Sequence, residues 1–402
     1  MLLSLFIIII AGLAFGWIFK KLHLPAILGM LLTGIIFGPN VLNLFDKNIL
    51  SISADIREIA LIIILAKAGL SIDISDLKKI GRPAVMMCFM PATFELLAFV
   101  IFAPKLMGLT VLESAILGTV MGAVSPATVV PFMTKMMDGG WGSKKGIPQM
   151  IIAGSSAGSV YVIVIFTALI ALAGGEKVSA ESFLQIPISM ILGIMLGVAL
   201  GLVLAWLFKQ VHIRDTVKVL IILAISFALA YQEKVLTGIF SISGLLAVMS
   251  MCIMINDKRR IVAKRLNGKF EKLWVGAEIL LFVLVGTSVD VKHVLSAGIV
   301  MVVMLTIGLV FRSIGTLISV FGIGLSQKEK LFCVITEIPK ATVQAAIGGV
   351  ALSKGLACGN TVLSLSVISI LITAPLGSFL IEKSYQKLCS REKAENRNKI
   401  LA

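Results

Sequence analysis

Charged residues are scarce in this sequence. They make up 14% of the 402 residues, 58% of the residues are hydrophobic, and the mean hydropathy is +1.05. A soluble protein carries about 25% charged residues. This composition excludes an ordinary soluble domain and predicts an all-α polytopic membrane protein, since helices satisfy their own backbone hydrogen bonds in a bilayer.

Cysteine is also rare, and its spacing excludes two kinds of site. The five cysteines show no paired spacing, and four lie in or near apolar runs: Cys88, Cys252, Cys333, Cys358 and Cys389. We interpret them as packing residues and expect neither a disulfide framework nor a metal site; no cofactor is indicated. The N-terminal residues are apolar without a cleavage pattern, which predicts a first membrane span instead of a signal peptide.

Long apolar runs dominate what is present. A membrane-spanning helix needs about 20 mainly apolar residues. On this basis the sequence predicts thirteen spans, at 1–19, 25–43, 55–72, 83–103, 112–134, 147–174, 183–208, 216–231, 236–255, 273–289, 294–323, 329–352 and 361–382.

Basic residues between the predicted spans alternate in number. Gaps after odd-numbered spans, with the C-terminal tail, hold 26 Lys and Arg residues, and the other gaps hold six. Lys and Arg concentrate on the cytoplasmic side of membrane proteins. The N-terminus is therefore predicted outside and the tail in the cytoplasm, and the net charge of +15 does not indicate nucleic acid. Four basic residues fall within spans, and Arg57 among them is expected to reach the outer membrane surface: Arg57, Lys67, Arg312 and Lys340.

The two halves of the sequence resemble each other. The segment from Glu58 to Asp73 is similar to that from Glu278 to Asp290, and Glu95 and Arg312 each follow the final aspartate by 22 residues. Spans 1–6 thus match spans 8–13, and an offset of seven spans reverses the direction of every helix. This pattern predicts the inverted-topology repeat of many secondary transporters.

Two short stretches interrupt equivalent apolar runs with proline and small polar residues. They are residues 125–131, which contain Pro126, and residues 338–344, which contain Pro339. Proline removes a backbone donor and breaks a helix, and broken backbone at membrane depth occurs inside protein or beside a cavity. We therefore predict two broken helices, spans 5 and 12, that cross near the midplane and form the transport site.

Several polar residues in these spans are candidates for function. Glu95 and Arg312 are predicted to form a structural ion pair between the half-bundles, with a part in the gate as the alternative. Lys340, at the second break, is interpreted as a proton carrier or a competitor of a bound cation; the alternative is a charge that offsets half-helix ends. Glu337 either pairs with Lys340, supplies a carboxylate or faces a cytoplasmic vestibule. Hydroxyl ligands for a small cation are expected from Ser125, Thr128 and Thr342, with a role in helix packing as the alternative.

These motifs resemble the monovalent cation:proton antiporter superfamily, close to its bacterial sodium/proton exchangers. The resemblance covers nearly the whole chain and is carried most specifically by Ser125–Pro131 and by the Pro339–Ala346 stretch. It implies a homodimer with a moving core, and it places Lys340 at the family's span-12 lysine and Glu95 with Arg312 at its core ion pair. Family members also carry adjacent aspartates in span 6, but this chain has Gly158 and Ser159 there and no acidic residue from 147 to 174.

The sequence thus predicts a secondary active transporter, not an enzyme, that exchanges protons for sodium or another monovalent cation. The alternatives are the same fold without coupled transport, a different solute, and a membrane receptor, which the short tail disfavours. The predicted location is a bacterial inner membrane, with the lipid bilayer, cations and protons as partners. Expected domains are interface helices at 1–80 and 211–292, core helices at 81–174 and 293–384, a connecting helix at 175–210 and a tail at 385–402.

Overall fold

Seventeen α-helices follow one another in a computed structural model that describes residues 1–22, 24–71, 81–174, 180–211, 213–235, 242–289 and 291–391. Within these ranges the one pairing of extended backbone is an isolated bridge between Trp141 and Arg391. The helices are α1 Leu2–Lys21, α2 Ala26–Phe37, α3 Lys47–Ser51, α4 Ser53–Ser71, α5 Arg82–Met107, α6 Val111–Met121, α7 Pro126–Gly139, α8 Ile147–Gly174, α9 Ala180–Gln210, α10 Asp215–Val235, α11 Gly244–Lys258, α12 Arg260–Thr287, α13 Val291–Ser319, α14 Gln327–Thr336, α15 Thr342–Gly348, α16 Val350–Ser353 and α17 Gly359–Leu388.

The described helices have the length and composition of membrane spans. Eight segments of them are long and apolar enough to cross a bilayer, and one of these contains both α6 and α7. Two shorter apolar segments, α2 and the pair α15–α16, accompany them. The chain is therefore an all-helical, multi-pass membrane protein, as the composition predicted.

The structure differs from the sequence prediction at the tenth predicted span. The predicted span covers 273–289, but α12 already begins at Arg260. Its first half buries Ala263, Leu266 and Phe270 at helical spacing, so an amphipathic stripe extends the helix beyond the purely apolar run. The two aspartates that anchored the repeat, at 73 and 290, lie outside the described residues.

The helices pack in two groups. The first, here called the scaffold group, contains α1, α2, α4 and α9–α12, with α12 packed on both α2 and α4. The second, the crossing group, contains α5–α8 and α13–α17, and its most extensive contact joins α5 to α13. The short helix α15 of the crossing group also packs on α4 and α12 of the scaffold group, so it closes part of the seam between them.

Close backbone contact between α2 and α12 leads to a stability prediction. A Cβ atom at Gly34 would overlap the carbonyl oxygen of Val283. We expect Gly34→Ala to lower the unfolding free energy by about 1–3 kcal/mol, because the two helices must move apart. Thermal unfolding in detergent measures this.

The matched control is Gly268 on the exposed side of α12, where an added Cβ meets no atom within 4 Å. Gly268→Ala should instead stabilise the helix by up to about 1 kcal/mol, since alanine has the higher helix propensity. Equal melting temperatures for the two variants would contradict the close-contact interpretation.

Candidate ion site at the crossing of two broken helices

Two interrupted helices meet in the crossing group. The first is broken between α6, which ends at Met121, and α7, which begins at Pro126. Proline is tolerated in this first position because its missing N–H would have no partner inside the helix. The second is broken between α14 and α15, around Pro339. The backbone N–H of Ser125 donates to the carbonyl of Pro339 at 2.9 Å, so both breaks occur where predicted and are in direct contact.

Five consecutive carbonyl groups at the first break accept hydrogen bonds from side chains. The bonds run from Gln344 Nε2 to Val120 O (3.0 Å) and Ala123 O (2.8 Å), from Lys340 Nζ to Met121 O, from Arg312 Nη1 to Gly122 O (2.7 Å), and from Ser159 Oγ to Val124 O (3.3 Å). Two of the donors are cations, and they lie at the negative C-terminal end of α6. These carbonyls are therefore already engaged within the protein.

Four charged side chains form a connected cluster beneath this break, here called the buried quartet: Glu95, Arg312, Glu337 and Lys340. Arg312 donates to Glu95 Oε2 through Nη1 at 2.7 Å and to Glu337 Oε2 through Nη2 at 2.6 Å. Lys340 Nζ lies 2.7 and 2.9 Å from the two oxygens of Glu95. All four residues are at most 4% exposed. Two carboxylates and two cations balance, so the quartet is formally neutral when every member is ionised.

The predicted ion pair between Glu95 and Arg312 is present, and it belongs to this larger network. Of the alternatives offered for Glu337, pairing with Lys340 and exposure to a vestibule are not what the structure shows, because its carboxylate pairs with Arg312 and is 2% exposed. The third alternative, a carboxylate supplied to the site, stays a prediction. Lys340 does not stand alone at the break, since it binds Glu95 and the end of α6. This geometry favours its interpretation as a charge that offsets a half-helix end. Glu337 Oε1 accepts no hydrogen bond within the described residues.

The three predicted hydroxyl ligands come together at the crossing. Thr128 Oγ1 donates to Ser125 Oγ at 3.2 Å, and Ser125 Oγ lies 3.4 Å from Thr342 Oγ1. All three residues are buried. The two broken helices thus supply a compact group of hydroxyl oxygens from both sides of the contact.

The two residues that replace the expected aspartates point in different directions. Ser159 is 8% exposed and donates to Ser155 O at 2.7 Å as well as to the first break. A Cβ atom at Gly158 would lie 3.1 Å from the carbonyl oxygen of Cys88 on α5. Neighbouring residues on a helix point about 100° apart, so Ser159 lies against the first break and a side chain at Gly158 would lie against α5.

Sequence reasoning also missed two partners of the site and misplaced Arg57. Gln344 and Thr373 were not singled out, although Thr373 Oγ1 accepts from the Lys340 N–H at 2.9 Å. A glutamine two residues into a buried apolar half-helix was the available signal. Arg57 is buried within the protein: it is 9% exposed and its Nε donates to Ser53 O. Its guanidinium occupies the space that a side chain at Gly349, between α15 and α16, would need.

Comparison with known proteins agrees with this architecture. A family model described as the transmembrane sodium/hydrogen exchanger matches residues 5–383. Sodium/hydrogen exchanger 9B2 from Homo sapiens is 32% identical over 391 residues, which cover 94% of this chain and 71% of the relative. Sodium/hydrogen exchanger 9B2 from Xenopus tropicalis is 30% identical, with coverage of 92% and 70%.

A solved structure shares the fold. The sodium proton antiporter MjNhaP1 from Methanocaldococcus jannaschii, in its structure at pH 8, superimposes with a TM-score of 0.83 at 21% identity, and the match covers 96% of this chain and 97% of that one. A multi-pass helical protein with buried charges at two touching helix breaks belongs to the class of ion transporters and is not an enzyme. Within that class, this chain belongs to the sodium/hydrogen exchanger family.

Proposed function

We propose that this protein exchanges a monovalent cation, with sodium as the first candidate, for protons, and that Glu337 takes the place of the missing span-6 aspartates. The observation that carries the proposal is the Glu337 carboxylate itself. It is buried beside the crossing, and its Oε1 has no hydrogen-bond partner within the described residues. A carboxylate that binds either a proton or a cation lets the two compete for one site.

The remaining site residues have separate roles in this proposal. The hydroxyl oxygens of Ser125, Thr128 and Thr342 supply neutral ligands, and Ser159 contributes a fourth hydroxyl beside Gly158. Arg312 holds Oε2 of Glu337 and leaves Oε1 for the cation or the proton. Lys340 remains on Glu95 and offsets that carboxylate, which leaves Glu337 as the acid available to the cation.

The architecture of the transporter is part of the same proposal. Thirteen spans in an inverted repeat are supported by the two breaks and by the contact of α5 with α13, the helices that hold Glu95 and Arg312. The scaffold group supplies the interface helices at 1–80 and 211–292, and the crossing group supplies the core at 81–174 and 293–384. The core moves against the scaffold of a homodimer in a bacterial inner membrane, with the N-terminus outside.

Replacing Glu337 tests this function. We expect Glu337→Gln to abolish sodium-driven proton flux in liposomes across pH 6 to 9, because the neutral amide neither binds a proton nor attracts the cation. Glu382→Gln is the matched control, since Glu382 is a 52% exposed carboxylate in a surface pair with Lys135. Wild-type flux in Glu337→Gln would overturn the role given to Glu337.

A second candidate is the same fold without coupled exchange. It is favoured by the neutral quartet and by the five occupied carbonyls, which leave a cation few free ligands. Absence of sodium-driven flux in the wild-type protein, reconstituted in a folded state, would select this candidate over exchange.

A further inference from the structure

A glutamate of the scaffold group lies at membrane depth outside the site described so far. Glu278 is on α12, nine residues before the helix ends at Thr287. Its side chain is half-buried, and within the described residues its carboxylate forms no hydrogen bond or ion pair. Lys67 of α4 is near enough for its positive charge to act on this carboxylate. An acid at this depth is costly unless it has a function or a partner.

Exposure changes steadily along the face of α12 that carries Glu278. Residues at helical spacing on this face go from exposed to fully buried: Glu271 66%, Val275 57%, Glu278 half-buried and Phe282 0% exposed. Glu271 also pairs with Lys67 at 3.5 Å. Charged side chains at membrane depth are costly against lipid tails, which indicates that water reaches this face, here called the crevice, as far as Glu278.

The facing helix, α4, also changes from partly exposed to buried along its length. On α4, Lys67 is 27% exposed, whereas Ala60, two turns away, is 1% exposed and Arg57 is 9% exposed. The helix α15 packs on both α4 and α12, and Gly349, the residue after it, lies against Arg57. The open end lies toward the start of α12, which the charge pattern predicts to be cytoplasmic. Glu278 is therefore at the inner end of the crevice.

We propose that Glu278 is a cation-binding carboxylate in the scaffold wall of this crevice, a station that a monovalent cation occupies before it reaches the crossing. Glu278 attracts the cation, and Glu271 lies at the solvent-exposed entrance. The positive charge of Lys67 weakens cation binding enough for the cation to be released. Because α12 belongs to the scaffold group, the station stays fixed while the crossing group moves. The proposal rests on the proposed exchange function and adds a second site to its pathway.

Chemical labelling tests the station without any transport. Dicyclohexylcarbodiimide modifies protonated carboxyl groups in apolar surroundings, and mass spectrometry of the α12 peptide identifies the residue. We expect labelling of Glu278 in the purified wild-type protein, protection by sodium chloride and no protection by choline chloride. Glu271, exposed on the same face, is the internal control and should stay unlabelled. Absent labelling, or labelling that sodium leaves unchanged, would overturn the proposal.

Flux measurements add a second readout. We expect Glu278→Gln to raise the sodium KM at least about tenfold, with the maximal rate within about twofold, since loss of one attractive charge acts on cation capture. Glu382→Gln, which changes an exposed carboxylate away from this face, should leave the KM unchanged. Glu278→Asp should restore part of it, and Lys67→Gln should lower it. A Glu278→Gln protein with the wild-type KM would contradict the station.

The two proposals fail in distinguishable ways. Sodium protection of Glu278 in a wild-type protein without flux would leave the station in place and remove the exchange function. Normal flux, with neither sodium protection nor a KM effect, would remove the station and leave the exchange function in place. If Glu278→Gln does not fold, the labelling of the wild-type protein still decides.

Discussion

Glu95→Gln should be among the most destabilising single changes in this protein. Glu95 contacts both Lys340 and Arg312 within 2.9 Å and is fully buried. Loss of its charge leaves two buried cations with one carboxylate between them. Removal of one partner from a buried pair costs about 3–5 kcal/mol, mainly because the other charge stays uncompensated. We expect a clearly lower melting temperature and loss of transport.

Two controls make this result specific. Glu382→Gln removes a carboxylate that pairs with Lys135 at the surface, where both partners are more than half exposed, and should cost about 0–1 kcal/mol. The double variant Glu95→Gln with Lys340→Gln restores the charge balance, so it should be more stable than Glu95→Gln alone. An unchanged melting temperature for Glu95→Gln, or additive losses in the double variant, would contradict the coupling within the quartet.

Ser159→Asp should give the largest gain in sodium affinity. Ser159 already lies against the first break, and a carboxylate there faces the Val124 carbonyl, an arrangement that a cation between the two oxygens stabilises. The attraction between unit charges about 4 Å apart is roughly 4 kcal/mol at an effective dielectric of 20, which corresponds to about a thousandfold in affinity. Sodium concentration dependence of proton flux in liposomes measures the gain.

Ser156→Asp is the control, because Ser156 is a half-exposed serine on the same helix, three residues earlier. It should leave the sodium affinity near its starting value. Gly158→Asp requires α5 to move by a few tenths of an ångström away from the new Cβ, so its effect should be smaller than that of Ser159→Asp. Equal affinities for Ser159→Asp and Ser156→Asp would show that position 159 does not face the cation.

The sequence was sufficient to predict the features that depend on local composition and on symmetry. Apolar runs predicted the helices, and proline among small polar residues predicted the breaks at Pro126 and Pro339. Glu95 and Arg312 occupy equivalent positions in the two halves, and this equivalence predicted their ion pair. Each of these follows from a pattern within one segment or from a comparison of two.

Competition for partners was not predictable in the same way. Arg312 has several donors, and which acids it reaches depends on the distance between α13 and α14, which no residue pattern records. For that reason the bond to Glu337 was missed. Gln344 was missed because its amide binds two carbonyls of another helix, and no pattern in the segment that contains Gln344 indicates those bonds. The burial of Arg57 was missed because α15 covers it from a segment far along the chain.

The sequence separation within the buried quartet determines when the protein can complete its assembly. Glu95 enters the membrane with the fourth predicted span, yet Arg312 follows 217 residues later and Lys340 follows 245 residues later. At about 5–20 residues per second, synthesis of the 217 residues takes on the order of 10–40 s. During that time Glu95 has neither Arg312 nor Lys340 as a partner. Its side chain must be protonated, hydrated or bound by the insertion machinery. The buried quartet can therefore be completed only near the end of translation, after residue 340 has been synthesised.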